Sequence, residues 1–116
     1  MTEEKFLCID IGGSHVKAAV LDASGKILQP YSKIDTPEKA KPEEMMQTIK
    51  QLTASFSGFD KIAVGFPGYV KNGVVQTAPN LNSKAWSGFN LQSNINEALK
   101  KPCKVANDAD LQGLGI

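Results

Sequence analysis

The feature that most constrains this chain is a junction repeated three times, where a short apolar run gives way abruptly to small and polar residues. Phe6 to Ile9 runs into Asp10-Ile11-Gly12-Gly13-Ser14, Lys61 to Gly65 into Phe66-Pro67-Gly68, and Cys103 to Ala106 into Asn107-Asp108-Ala109-Asp110. Continuous apolar runs of this length read as strands buried on both faces. Two segments of helical period lie between them. Pro42 opens the first, with Met45, Ile49, Leu52 and Phe56 on one face and Gly58 as its stop. Asn90 caps the second, which carries Leu91, Ile95, Ala98 and Leu99 on one face, Lys100 and Lys101 at its C-terminus, and Pro102 as its end. Helices between buried strands imply parallel strand pairs. Open α/β sheets bind ligands at the carboxyl ends of their strands. If the three strands are parallel neighbours, the three polar patches meet at one edge.

The remaining segments complete the order β-β-β-α-β-hairpin-α-β-α. Val16 to Leu21 reads as a second strand, Asp22 to Gly25 as a turn and Lys26 to Ile34 as a third strand, making an antiparallel meander. Asn72-Gly73 inside Tyr69 to Thr77 is a hairpin signal. Ala78 to Gly88 reads as a long polar loop in which Trp86 is an anchor packing on the domain, and the chain stops just inside a further helix. The fold class expected is α/β: a mixed sheet with a meander followed by parallel strands, and helices on both faces.

Composition narrows the partners. A chain of 116 residues can bury a core of its own. A formal net charge of +1 gives no reason to expect nucleic acid or a membrane surface, and no run is long and apolar enough to span a bilayer. All 13 basic residues are lysine, so no bidentate arginine clamp comes from this segment. Cys8 and Cys103 each sit in an apolar run and read as buried free thiols of a reducing, cytoplasmic compartment. The polar start, Met1 to Lys5, has no signal-peptide pattern.

The patches have chemistry to offer. Gly12 and Gly13 let backbone N–H groups approach an anion, Ser14 adds a hydroxyl donor and Lys17 a positive charge. Asp10 ends a buried strand, where a carboxylate is costly unless paired or used on a metal. The same residues also suit a plain Gly-Gly hairpin whose Asp10 caps its own backbone. Asp108 suits a general base for a substrate hydroxyl and Asn107 a sugar hydroxyl partner, although either also suits a helix cap. Gly68 permits close backbone approach, and Asn80 supplies both a donor and an acceptor. His15 reads as a solvated turn residue, and Met45-Met46 as helix core.

Taken together, these residues resemble the ROK family of sugar kinases. The likeness rests on Asp10-Ile11-Gly12-Gly13-Ser14 with Lys17, Gly65-Phe66-Pro67-Gly68, Thr77-Ala78-Pro79-Asn80-Leu81 with Trp86, and Asn107-Asp108-Ala109-Asp110, in that order. Within the family, the polyphosphate glucokinase branch is the most similar. The resemblance implies an actin-like, ribonuclease-H-like fold in which two domains close around sugar and nucleotide. Residues 1–116 would then be the N-terminal domain of a two-domain kinase, with the second domain absent. It implies that Gly12, Gly13, Ser14 and Lys17 bind phosphate, with Asp10 near Mg²⁺ through water. Gly68, Asn80 and Asn107 would bind the hexose, and Asp108 would take the proton from its attacking hydroxyl. The donor would be ATP or polyphosphate, and the full-length form a homodimer. The family's remaining sugar ligands, second phosphate turn and adenosine pocket have no counterpart here, so the chain alone is expected to be inactive. Two other readings stay open: a sugar-sensing ROK-type protein or transcriptional regulator, and an actin-like assembly protein. Only five residues precede the first strand, which counts against a leading DNA-binding domain.

Overall fold

In the computed structural model, which describes residues 4–79 and 81–107, five strands form one mixed sheet. Strands β1 (Lys5–Ile11), β2 (His15–Asp22) and β3 (Ile27–Asp35) make the expected meander. Helix α1 (Pro42–Thr53) leads back to β4 (Lys61–Phe66), which lies parallel to β1. The hairpin β5 (Val70–Lys71) and β6 (Val74–Val75), the one-turn helix α2 (Ser83–Trp86) and helix α3 (Leu91–Leu99) precede β7 (Cys103–Asn107), which lies parallel to β4. The sheet order is β3-β2-β1-β4-β7. The three strands that end in polar patches are therefore adjacent and parallel, and their carboxyl ends share one edge.

Alternation sorts the sheet into two faces. Leu7, Ile9 and Ile11 of β1 stand in line with Val20, Ala18 and Val16 of β2, and Ile62 and Val64 of β4 continue the rows. Together with Met45, Ile49 and Leu52 of α1 and Leu91 and Ile95 of α3, these residues form one core. Both α1 and α3 thus pack on the same face of the sheet. The helix expected after Asn107 lies outside the described residues. No helix among the described residues is long and apolar enough to cross a membrane.

Several local outcomes differ from the expectations. Helix α1 stops at Thr53, not at Gly58, and Phe56 joins the core from a turn in which its N–H donates to the Thr53 carbonyl. The Thr53 hydroxyl donates to the Ile49 carbonyl at 2.7 Å, a back-bond that competes with a further turn. The loop from Ala78 to Gly88 contains α2. His15 is the first residue of β2 rather than a free turn residue, and its Nε2 lies 3.4 Å from an Asp35 carboxylate oxygen. Strand β3 carries two bulges against β2, the first around Pro30 and Tyr31 and the second at Leu28. Proline and bulges are common guards of an edge strand.

Other expectations hold. Asn72 and Gly73 have φ of 52° and 81°, the pair of positive values that a tight hairpin turn needs. The Asn90 side chain accepts the Ser93 N–H at 3.0 Å and caps α3. Asp22 organises its turn with its carboxylate held below the usual range, first by the Ser24 hydroxyl and then by the Lys26 N–H. Cys8 and Cys103 are free as expected, although both are half-buried rather than buried. Burial pushes the Cys8 thiol up and that of Cys103 to about 12, so neither is a ready thiolate nucleophile.

Trp86 is the anchor expected of it, and it reaches far. Its side chain is fully buried, 5.0 Å from the Phe66 ring and 5.5 Å from that of Phe89. Its indole Nε1 donates to the Ala40 carbonyl at 2.6 Å. Ala40 has φ 49°, a left-handed conformation that costs a non-glycine residue about 1 kcal/mol. The Ala40 N–H donates to Pro37 while the carbonyl takes the indole, so both sides of the strained residue are held. Trp86→Phe keeps most of the ring contact but leaves a buried carbonyl without its donor. We expect a stability loss of about 2–4 kcal/mol in urea unfolding followed by circular dichroism. A loss below about 0.5 kcal/mol would show that the bond to Ala40 does not hold the loop.

Candidate active site

The first component of the edge is the tight connection from β1 to β2. The Gly12 N–H donates to the His15 carbonyl at 2.9 Å and closes the turn. Thr36, just past the end of β3, grips this turn from outside. Its N–H donates to the Ser14 carbonyl at 2.9 Å and its hydroxyl to the Gly12 carbonyl at 2.7 Å. Thr36 therefore engages the turn only through its carbonyls, and two acceptors that would repel an anion are occupied. Gly13 and Ser14 are exposed at its tip. In the sequence, Thr36 before Pro37 reads as loop. The signal was a threonine before Pro37, which favours an extended backbone, but its partners lie 22 and 24 residues back and only the β2–β3 register brings them together.

The second component spans the ends of β4 and β7. Phe66 and Asn107 are register partners at the last position of their strands. The Asn107 Nδ2 donates to the Gly68 carbonyl at 2.8 Å and ties the two patches together. Asn107 therefore orients the Gly68 turn, a structural task beyond the sugar contact expected of it. Gly68 is buried, and the Thr77-Ala78 backbone passes directly over it. A Cβ placed there would stand 2.0 Å from the Thr77 carbonyl oxygen. The glycine is thus needed first for that close crossing, which brings the loop leading to Asn80 against the edge. The Tyr69 N–H, held by the Thr77 hydroxyl at 3.1 Å, fixes the same crossing. Asn80 and Asp108 lie outside the described residues.

The third component is a row of charge. Asp10 of β1 stands opposite Lys17 of β2, and Lys17 stands opposite Lys33 of β3. All three are exposed on the sheet face away from α1 and α3, where they line a cleft of about 480 Å³ with Tyr31 and Ser32. Gly65 is the partner of Asp10 on the other side. Asp10, Lys17 and the turn at Gly12–Ser14 are thus brought together as expected, with the Gly68 turn one strand from β1 and Asn107 two strands from it. Lys33 and Tyr31 went unremarked in the sequence, because the bulges of β3 break the alternation that would have placed them.

Gly68→Ala forces a methyl group into backbone, which has no rotamer to yield. We expect a stability loss of about 3 kcal/mol, read by thermal unfolding. An unchanged unfolding midpoint would contradict the close crossing at Thr77.

The sequence profile described as "ROK family" matches residues 6–115. The chain is 35% identical over 108 residues to polyphosphate glucokinase of Mycobacterium tuberculosis, covering 91% of this chain and 40% of that protein. It is 34% identical over 104 residues to N-acetylmannosamine kinase of Haemophilus influenzae, covering 89% and 34%. The crystal structure of inorganic polyphosphate/ATP-glucomannokinase from Arthrobacter sp. strain KM superposes with a TM-score of 0.87 at 31% identity, over 96% of this chain and 47% of that one. The chain thus spans less than half the length of each of these similar proteins; it belongs to the ROK family and has the actin-like fold of its sugar-kinase neighbours.

Proposed function

We propose that this chain is the first of two domains of a hexose kinase that transfers a phosphoryl group from ATP or inorganic polyphosphate to a sugar hydroxyl, the 6-hydroxyl of glucose foremost. The observation that carries this is the convergence of Asp10, Gly68 and Asn107 at the carboxyl ends of three adjacent parallel strands. Glucose stands first because the similar proteins include a polyphosphate glucokinase and a glucomannokinase. Phosphoryl transfer asks little covalent chemistry of a protein. It asks for a held phosphate, a held nucleophile and compensated charge.

In this proposal the Gly12, Gly13 and Ser14 turn and Lys17 hold the phosphate. Gly68, Asn80 and Asn107 hold the hexose. Asp108, next in the chain after Asn107, takes the proton from the attacking hydroxyl as the new oxygen–phosphorus bond forms. The bond to the bridging oxygen breaks, and its electron pair leaves with ADP or the shortened polyphosphate. Asp10 fits Mg²⁺: it is an exposed carboxylate beside the phosphate turn, and among the described residues no group of three ligands could cage a metal without substrate. Mg²⁺ commonly takes one or two carboxylates and completes its shell with water and substrate phosphates, whose charge it offsets.

The test is a product-coupled assay on the full-length protein, with glucose, mannose and N-acetylmannosamine as acceptors, ATP or polyphosphate as donor, and Mg²⁺. Wild type is expected to turn over a hexose. Asp108→Asn should lose about 10²-fold or more in kcat, about 3 kcal/mol of barrier. The 116-residue chain alone should show no turnover. A full-length protein that binds hexose and phosphorylates none would overturn the proposal.

A further inference from the structure

Lys17 and Lys33 face each other across β2 and β3 with nothing of opposite charge between them. Directly opposed residues on neighbouring strands have Cβ atoms about 5 Å apart, and like charges there are destabilising. Among the described residues neither ammonium group makes an ion pair. Asp10 stands on the far side of Lys17, and Asp35, two residues beyond Lys33 on the same face, is engaged by His15 at 3.4 Å. Both lysines line the open cleft of about 480 Å³ with Tyr31. The bulge around Pro30 and Tyr31 lies just before Lys33 and resets which side chains of β3 face that cleft. The row begins beside the turn at Gly12–Ser14 and runs outward to the sheet edge. Within this face Lys17 and Lys33 form a short basic strip beside the turn at Gly12–Ser14, flanked by Asp10 on one side and Asp35 beyond Lys33.

We propose that this strip is the track on which the tail of an inorganic polyphosphate donor lies, and that Lys33 sets the preference for that donor over a nucleotide. The proposal rests on the kinase reading above. A donor that continues beyond the turn as phosphate meets Lys17 and then Lys33, and its charge relieves their repulsion. A donor that continues as a nucleoside has no charge to offer there. Lys33 is a specificity residue in this scheme and takes no part in the proton transfer.

The test compares wild type, Lys33→Gln, Lys33→Arg and, as a remote control on α1, Lys50→Gln, all in the full-length protein. Direct binding of medium-chain inorganic polyphosphate is measured by calorimetry, with ATP and heparin as comparators. KM values for polyphosphate and ATP are measured alongside. Lys33→Gln is expected to weaken polyphosphate binding and raise its KM by about fivefold to tenfold. It should also lower the salt dependence of binding by about one ion. The KM for ATP and kcat should stay within about twofold. Lys33→Arg should restore most of the effect, and Lys50→Gln should change nothing. Equal losses for polyphosphate and ATP, equal losses for heparin, or no loss at all would each overturn the proposal. Failure of wild type to bind polyphosphate would overturn it too. If polyphosphate binds through Lys33 but no hexose is phosphorylated, the kinase reading falls and the polyphosphate track stands as a binding site.

Discussion

The bond from the buried Trp86 indole to the Ala40 carbonyl is the constraint on which the edge depends. It joins two stretches of chain that no strand pairing connects. On one side, Ala40 closes the loop that begins at Thr36, and Thr36 holds the Gly12 and Ser14 carbonyls of the turn. On the other side, the Trp86 ring packs on Phe66, the last residue of β4. The Gly12–Ser14 turn and the end of β4 are thereby referred to one rigid body. A buried indole satisfies its single donor and fills a large volume in one step. Few other residue types could do both here.

The remaining contacts translate that rigidity into placement. Asn107 donates to Gly68, and Gly68 lets Thr77 cross at backbone distance, so the three segments expected to meet a sugar are locked to each other before any sugar arrives. Catalysis by positioning requires such pre-organisation, since a displacement of about 1 Å can cost about 10²-fold in rate. The charge row of Asp10, Lys17 and Lys33 is built differently. Its side chains are exposed, so the two lysines are available to an anion and Asp10 to a cation.

How much of this was legible in the sequence follows from the range of the interactions involved. The three buried runs and their polar ends are local patterns, and with them came the parallel core, the hairpin at Asn72-Gly73 and the cap at Asn90. The meeting of the patches at one edge followed from the general behaviour of parallel sheets. What escaped depends on register. Thr36 finds its turn only because β3 aligns with β2, and Lys33 faces Lys17 only because two bulges reset the alternation of β3. Gly68 was read for its freedom toward a ligand, but its first duty is toward Thr77, a crossing that no local pattern announces. The early stop of α1 is a smaller case: four apolar positions matched one helical face, yet Phe56 reaches the core without being helical.

The central claim is that the carboxyl ends of β1, β4 and β7 form one site shared by sugar and phosphate. The most direct measurement is a crystal structure of the full-length protein with glucose and a non-hydrolysable donor. The account predicts glucose against the Gly68–Asn107 clamp and the transferable phosphate on the turn at Gly12–Ser14. Glucose bound elsewhere on the domain, or a donor phosphate at the opposite end of the sheet, would contradict it.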